Sequence, residues 1–205
     1  NILTNLTNYT IGDGFTHKAE PKCQECPAQL AADVQFVIDQ FMEDNDWKAD
    51  FEAEIHWRSR EDGESPLVLE PRGWRVKASL IEPDQITEPA NGFQLENWLG
   101  CAEEFVSSWS FGVHTRRRHP SEPLGYHVVY DSGGTDFDYY PANDVPLAMR
   151  LKTGVLELVK RNSPRNAKRG FTDFYPIISR IENTEKLGIN TEKGSAIQAA
   201  IAFIR

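Results

Sequence analysis

Three of the five histidines, His114, His119 and His127, fall within fourteen residues of one another, and Asp131 follows them. Imidazole nitrogen and carboxylate oxygen are ligands for zinc or iron. A histidine with an aspartate is also two-thirds of a hydrolytic triad, although no G-x-S-x-G elbow supplies the serine. The spacing matches no helical HxxxH pattern, so any ligands would come from a loop and a strand end. His114, His119, His127 and Asp131 are therefore the candidate catalytic set, and the sequence assigns them neither a metal nor a cofactor. Asp131, Asp136, Asp138 and Asp144 surround the turn Ser132-Gly133-Gly134. Calcium accepts such oxygens, but the order is not that of an EF-hand, and aspartates here are ordinary turn and capping residues.

Cys23 and Cys26 form a CxxC just before a predicted helix, and Cys101 stands alone. A helix start lowers a thiol pKa, as redox chemistry requires. A thioredoxin-like site needs a buried strand before the motif, and residues 13–22 are too polar for one. A zinc site needs a second cysteine pair. The odd cysteine count points away from a disulfide framework and towards a reducing compartment such as the cytoplasm. Two glycosylation sequons, at Asn5 and Asn8, have no secretory context to support them.

The least ordinary residues of this acidic chain are its basic clusters. Arg116, Arg117 and Arg118 stand in a row, and residues 160–169 carry five positive charges with no acid. Residues 1–110 hold 8 Lys+Arg against 21 Asp+Glu, a net of −13, whereas 111–205 hold 14 against 10, a net of +4. Guanidinium pairs with carboxylate or phosphate through two parallel hydrogen bonds. The overall acidity and the lack of an RNP, zinc-finger or phosphate-loop motif argue against nucleic acid, without closing the basic loops to it. Opposite signs in different parts of one chain fit self-association or a fixed protein partner. Arg116, Arg117, Arg118, Arg165, Lys168 and Arg169 are the predicted interface cations.

The elements that must position these residues follow from periodicity. Pro27 opens a helix whose apolar stripe is Leu30, Val34, Val37, Ile38, Phe41 and Met42. Residues 51–59 and 74–80 alternate apolar and polar, which predicts two strands, with Gly63, Pro66, Pro71 and Gly73 in a long hairpin connection. In that pairing Glu52 and Glu54 face Arg75 and Lys77. A second amphipathic helix covers 95–109. Residues 114–119 are a basic loop, and 126–130 and 137–140 a hairpin about the glycine turn. Asp144 and Pro146 open a helix through Leu147, Leu151, Val155 and Leu158, which Gly154 weakens. A short helix near Pro176 and a closing helix over 191–204 complete the chain. Trp57, Trp74, Trp98 and Trp109 lie on apolar phases and are predicted to be buried. No apolar run reaches the length of a membrane span, about 18 residues.

The fold class expected is α+β, with antiparallel hairpins packed on amphipathic helices in the order α-ββ-α-ββ-α-α-α. A polar arm, 1–26, precedes one domain, 27–205. Three function classes remain. The first is a structural or assembly subunit of a ring, connector or filament, such as a virion-like particle. The second is an enzyme with a His/Asp site, metal-dependent or not, in 114–144. The third is a small binding protein for a charged partner.

Overall fold

The computed structural model describes residues 2–21, 27–89, 109–143, 145, 147–164 and 166–204. Cys23, Cys26, Trp98, Cys101, Asp144, Pro146, Arg165 and nearly all of the helix expected over 95–109 lie outside the described residues. The chain divides into two compact units, Asn1–Thr172 and Asp173–Arg205. Helices and two antiparallel sheets make the fold α+β.

In the first unit α1 (Ile2–Ile11), α2 (Ala28–Asp44) and α3 (Glu52–Glu61) precede β1 (Glu64–Arg72) and β2 (Arg75–Leu80). Then follow β3 (Val113–Arg116), β4 (His119–Val129), β5 (Phe137–Pro141), α4 (Leu147–Thr153) and β6 (Val155–Lys160). One sheet has the order β2-β1-β6 and the other β3-β4-β5. A single apolar cluster joins them. Val68, Leu156 and Leu158 come from the first sheet, Val113, Leu124, Tyr126, Val128 and Tyr140 from the second, with Ile86, Ala142 and Val145 between. The second unit holds a 3-10 turn, Tyr175–Ile177, and α5 (Ile178–Ile204). The two helices expected near 176 and over 191–204 are thus one 27-residue helix, roughly 40 Å long at 1.5 Å per residue.

Several expectations need correction. The strand predicted over 51–59 is a π-helical turn, Trp47–Phe51, followed by α3. Its alternation is real, but the side chains that α3 buries are polar. Glu52, His56 and Ser59 share one helix face by their i, i+4, i+7 spacing. Glu52 is 8% exposed and accepts from the Phe15 N–H at 2.7 Å, His17 at 2.8 Å and Trp47 Nε1 at 2.9 Å. His56 Nδ1 lies 3.1 Å from Thr7 Oγ1. A polar face satisfied in this way is invisible to a search for apolar periodicity. The pairing of Glu52 and Glu54 with Arg75 and Lys77 disappears with the strand: Glu54 pairs with Arg58 and Arg75 with Asp44. The arm is not irregular throughout either. Its residues 2–11 form α1, which buries Leu3 and Thr7.

Residues 64–72, read as a loop from their prolines, form the central strand of the first sheet. Pro66 is paired with β6 but lies before the β2 ladder begins at Leu67; Pro71 is paired with β2 but lies beyond the β6 ladder, which ends at Leu69. Each proline therefore lies outside one of the two ladders, and its missing N–H breaks no ladder, although the Pro66 carbonyl still accepts the Ile81 N–H at 3.2 Å. The hairpin to β2 is tight, Arg72 opposite Arg75, and it lifts Trp74 to 71% exposure against the prediction of burial. Trp57 and Trp109 are half-buried. Gly154 (φ 85) ends α4 outright, and Val155 and Leu158, expected on a helix, belong to β6.

One residue from the basic segment ties these pieces together. Arg169 donates from Nε to Glu64 Oε1 at 2.6 Å and also pairs with it through Nη2. Its remaining N–H groups reach the carbonyls of Pro83 (2.7 Å), Phe111 (2.9 Å) and Ile86 (3.1 Å). The other Glu64 oxygen takes the Gly170 N–H at 2.9 Å. A Cβ on Gly63 would overlap the Phe171 backbone, and one on Gly170 would overlap the Gly63 carbonyl. The carboxylate of Glu64 is 3% exposed, so removing its partner leaves a buried charge.

Two outcomes follow for stability. Arg169→Ala should lose about 3–5 kcal/mol in chemical denaturation, the usual penalty for orphaning a buried charge; a loss under about 1 kcal/mol would contradict the clamp. Burial alone would raise the Glu52 carboxyl, but hydrogen bonds from His17, the Phe15 N–H and Trp47 hold it below its ordinary value of 4.5. A lowered carboxyl contributes stability above its unfolded value and loses it as pH falls through the folded one. Hydrogen exchange in α1 and α3 should therefore accelerate below pH 4.5 in the native chain, and Glu52→Gln should remove that dependence. Identical pH profiles for the two proteins would overturn this.

Candidate functional site

The second sheet carries most of the residues with chemistry. Arg116 stands opposite His119, so Arg117 and Arg118 form a two-residue hairpin tip between β3 and β4. The run expected as a basic loop is a strand end and this tip, with register shifts on both sides of Thr115. At the far end of β4, Val129 stands opposite Phe137 and the 131–136 turn closes the hairpin. Asp131 holds that turn. Its Oδ1 accepts from the Thr135 and Asp136 N–H groups at 2.8 Å each, and its Oδ2 from Thr135 Oγ1 at 2.7 Å. These bonds lower the Asp131 carboxyl below its usual range.

Alternation along the strands separates two faces. Leu124, Tyr126, Val128 and Tyr140 enter the core. The opposite face carries His114, His127, Phe137 and Tyr139 with Trp109 against them. The Trp109 ring lies 4.6 Å from His114 and 6.4 Å from His127, and His127 lies 4.9 Å from Tyr139 and 5.3 Å from Phe137. His127 is 5% exposed. Its Nδ1 lies 2.8 Å from the Thr87 carbonyl, an acceptor only, so Nδ1 carries the hydrogen and Nε2 of the neutral ring is an acceptor.

Beyond this face opens a cleft of about 610 Å³. One wall is the 84–89 segment, with Asp84 and Glu88; the other is His127, Asp131, Phe137 and Tyr139. The first wall is held by the isolated bridge Ile86–Val128, by Thr87 bonded to His127, and by Arg169 on the Ile86 carbonyl. Glu88 Oε1 accepts the Phe111 N–H at 2.9 Å, leaving Oε2 for other partners. Lys168 donates to the Val113 carbonyl at 3.1 Å; burial lowers its pKa, and the nearby Glu88 partly offsets that. Asp62 feels the same negative field: burial first, then Glu82, Glu64 and Asp84, raise its carboxyl against the pull of Arg58.

Sheet two is also tied to sheet one by hydroxyls. Tyr140 donates to Glu70 Oε1 at 3.1 Å, so Tyr130, 2.8 Å away, donates to Tyr140. Burial, then Tyr130 and Glu70, push the Tyr140 phenol far above its ordinary value.

Of the four candidate catalytic residues, His114 and His127 meet at Trp109, while His127 and Asp131 line the cleft. His119 lies at the basic tip, 62% exposed and 3.8 Å from Glu122. The four do not converge, and among the described residues no group of three or more His, Cys, Asp or Glu is placed to hold a metal ion. Of the predicted interface cations, Arg117 and Arg118 are exposed, and Arg116 pairs with Glu122 at 3.2 Å. Lys168 and Arg169, both half-buried, are bonded within the first unit, to the Val113 carbonyl and to Glu64. Asp84, Glu88, Phe137 and Tyr139 were not anticipated in a site. Phe137 and Tyr139 follow the glycine turn at strand spacing, a legible signal; nothing in the sequence links 84–88 to them.

Replacing His127 with Phe keeps a ring in the aromatic face but removes the hydrogen bond to Thr87. The expected loss is about 1–3 kcal/mol for the stranded carbonyl. Unchanged stability would show that the 84–89 wall does not depend on this histidine.

The sequence matches no protein-family model and no curated protein.

Proposed function

We propose that this chain is a structural subunit of an oligomeric assembly, a ring, connector or filament such as builds a virion-like particle. The observation that carries this reading is the apolar surface left uncovered on α2 and β2. The stripe of α2 is wider than the face it packs. Met42 is buried at its inner edge, but Leu30, Val34 and Val37 remain 53%, 44% and 64% exposed. Trp74 and Val76 continue the surface at 71% and 40%. A groove of about 470 Å³ runs between them, lined by Val37, Phe41, Trp47 and Trp74. Contiguous apolar surface of this kind marks a site of association. Against a second copy the same helix can bury its open edge, with the charged tip and acidic cleft setting orientation. No helix among the described residues is long and apolar enough to cross a membrane.

The cleft supports a second reading, an enzyme with a His/Asp site in 114–144. Its support is narrower, because both Asp131 oxygens are engaged in a turn and only His127 of the three histidines lines the cleft. The third reading, a binding protein for a charged partner, draws on the same cleft.

Sedimentation of the wild type and of Val34→Glu/Val37→Glu tests the assembly reading. The wild type should associate with rising concentration, and the double variant should stay monomeric with its fold intact, since both side chains already face water. A wild type that remains a monomer throughout would remove the reading.

A further inference from the structure

We propose that the cleft between the 84–89 segment and the β4–β5 hairpin binds arginine, and that its ligand is the Arg117–Arg118 tip of a second copy of this chain. The inference rests on the assembly reading and specifies its contact.

The cleft offers acceptors and π faces. Asp84 is exposed, Glu88 has Oε2 beyond its bond to Phe111, and His127 Nε2 makes no hydrogen bond to a described residue. Phe137 and Tyr139 line the same space. A guanidinium is the complement to that set: it is planar, has five N–H donors and no acceptor, and stacks on aromatic faces. Lys168 sits near Glu88 and offsets part of the negative charge, yet Asp84, Glu88 and Asp131 outnumber it. The volume, about 610 Å³, admits a hairpin tip's side chains.

The tip has the matching properties. Arg117 and Arg118 are exposed at a turn whose flanking pair, Arg116 and His119, fixes its direction. Their own cleft is out of reach, because tip and cleft lie at opposite ends of β4, His119–Val129. At about 3.3 Å per residue that is on the order of 30 Å. Only another molecule can fill the cleft with this tip. The contact is head-to-tail, so it propagates into a closed ring or an open filament.

The experiment uses two variants of the full chain. Arg117→Glu/Arg118→Glu spoils the tip and leaves the cleft; Asp84→Asn/Glu88→Gln spoils the cleft, while the amide oxygen introduced at position 88 still accepts the Phe111 N–H. Each alone should associate at least about tenfold more weakly than wild type. Mixed in equal amounts, they should associate at least about tenfold more tightly than either variant alone, because one sound tip then meets one sound cleft. As a check independent of assembly, a peptide of residues 113–124 is titrated into the tip variant, whose own cleft is open. It should bind at least about tenfold more tightly than the same peptide with both tip arginines replaced by glutamine. Variants that assemble like wild type would overturn the contact while leaving the assembly reading intact. A mixture that stays monomeric, or equal binding of the two peptides, would also overturn it. A wild type that never associates would overturn the assembly reading and this contact with it.

Discussion

The first unit depends on the ion pair between Arg169 and Glu64. Glu64 opens the central strand of one sheet, and Arg169 carries the same guanidinium to the carbonyls of Pro83, Ile86 and Phe111. Those carbonyls belong to segments without a continuous ladder of their own. The guanidinium therefore does for them what neighbouring strands do for β1. A buried ion pair is not strongly stabilising in itself, since desolvation offsets the attraction. Its value lies in specificity: one fork of donors satisfies four acceptors from three distant segments and fixes where each must lie. Gly63 and Gly170 approach closely beside the clamp, where backbone bonds from Arg161 to the Gly63 carbonyl and from Phe171 to the Arg161 carbonyl also join the two segments.

From that clamp the candidate site follows. Ile86, held by Arg169, bridges to Val128, and Thr87 bonds to His127. The wall bearing Asp84 and Glu88 is thereby set against the aromatic face of β4 and β5. The same strand that ends in this acidic cleft begins at the basic tip. Charge of one sign at each end of a rigid strand is a directional arrangement, and direction is what a repeating assembly requires. In the proposed assembly the apolar edge of α2 would add the area that charge alone does not provide.

How much of this was legible in the sequence depended on whether burial was apolar or polar. The α2 stripe, the β2 alternation and the hairpin about Gly133-Gly134 could be read because apolar side chains mark them. The α3 helix could not, because its buried side chains, Glu52 and Ser59, and the half-buried His56 are held by hydrogen bonds. Pro66 and Pro71 disguised β1, since a proline is harmless in a strand wherever one ladder is missing, and only the register reveals that. Arg169 looked like any residue of a basic loop. Its role requires knowing that Glu64, 105 positions away, lacks a partner in its own strand. Of the histidine set, the pairing of His114 with His127 on one face was within reach of strand periodicity. The contribution of Asp84 and Glu88 was not, because their segment is held by an isolated bridge and by hydrogen bonds to His127 and Arg169, none of which leaves a periodic signal.

The most direct test of an assembly built on opposite charges is the solution mass of the wild-type chain by light scattering, over a concentration series at two ionic strengths. At about 0.01 M and about 1 M the Debye lengths are about 30 Å and about 3 Å, so contacts between exposed charges act in the first and are screened in the second. The account predicts masses that rise with concentration at low salt and fall back towards one chain at high salt. A chain that keeps the mass of a monomer at every concentration in low salt would contradict it.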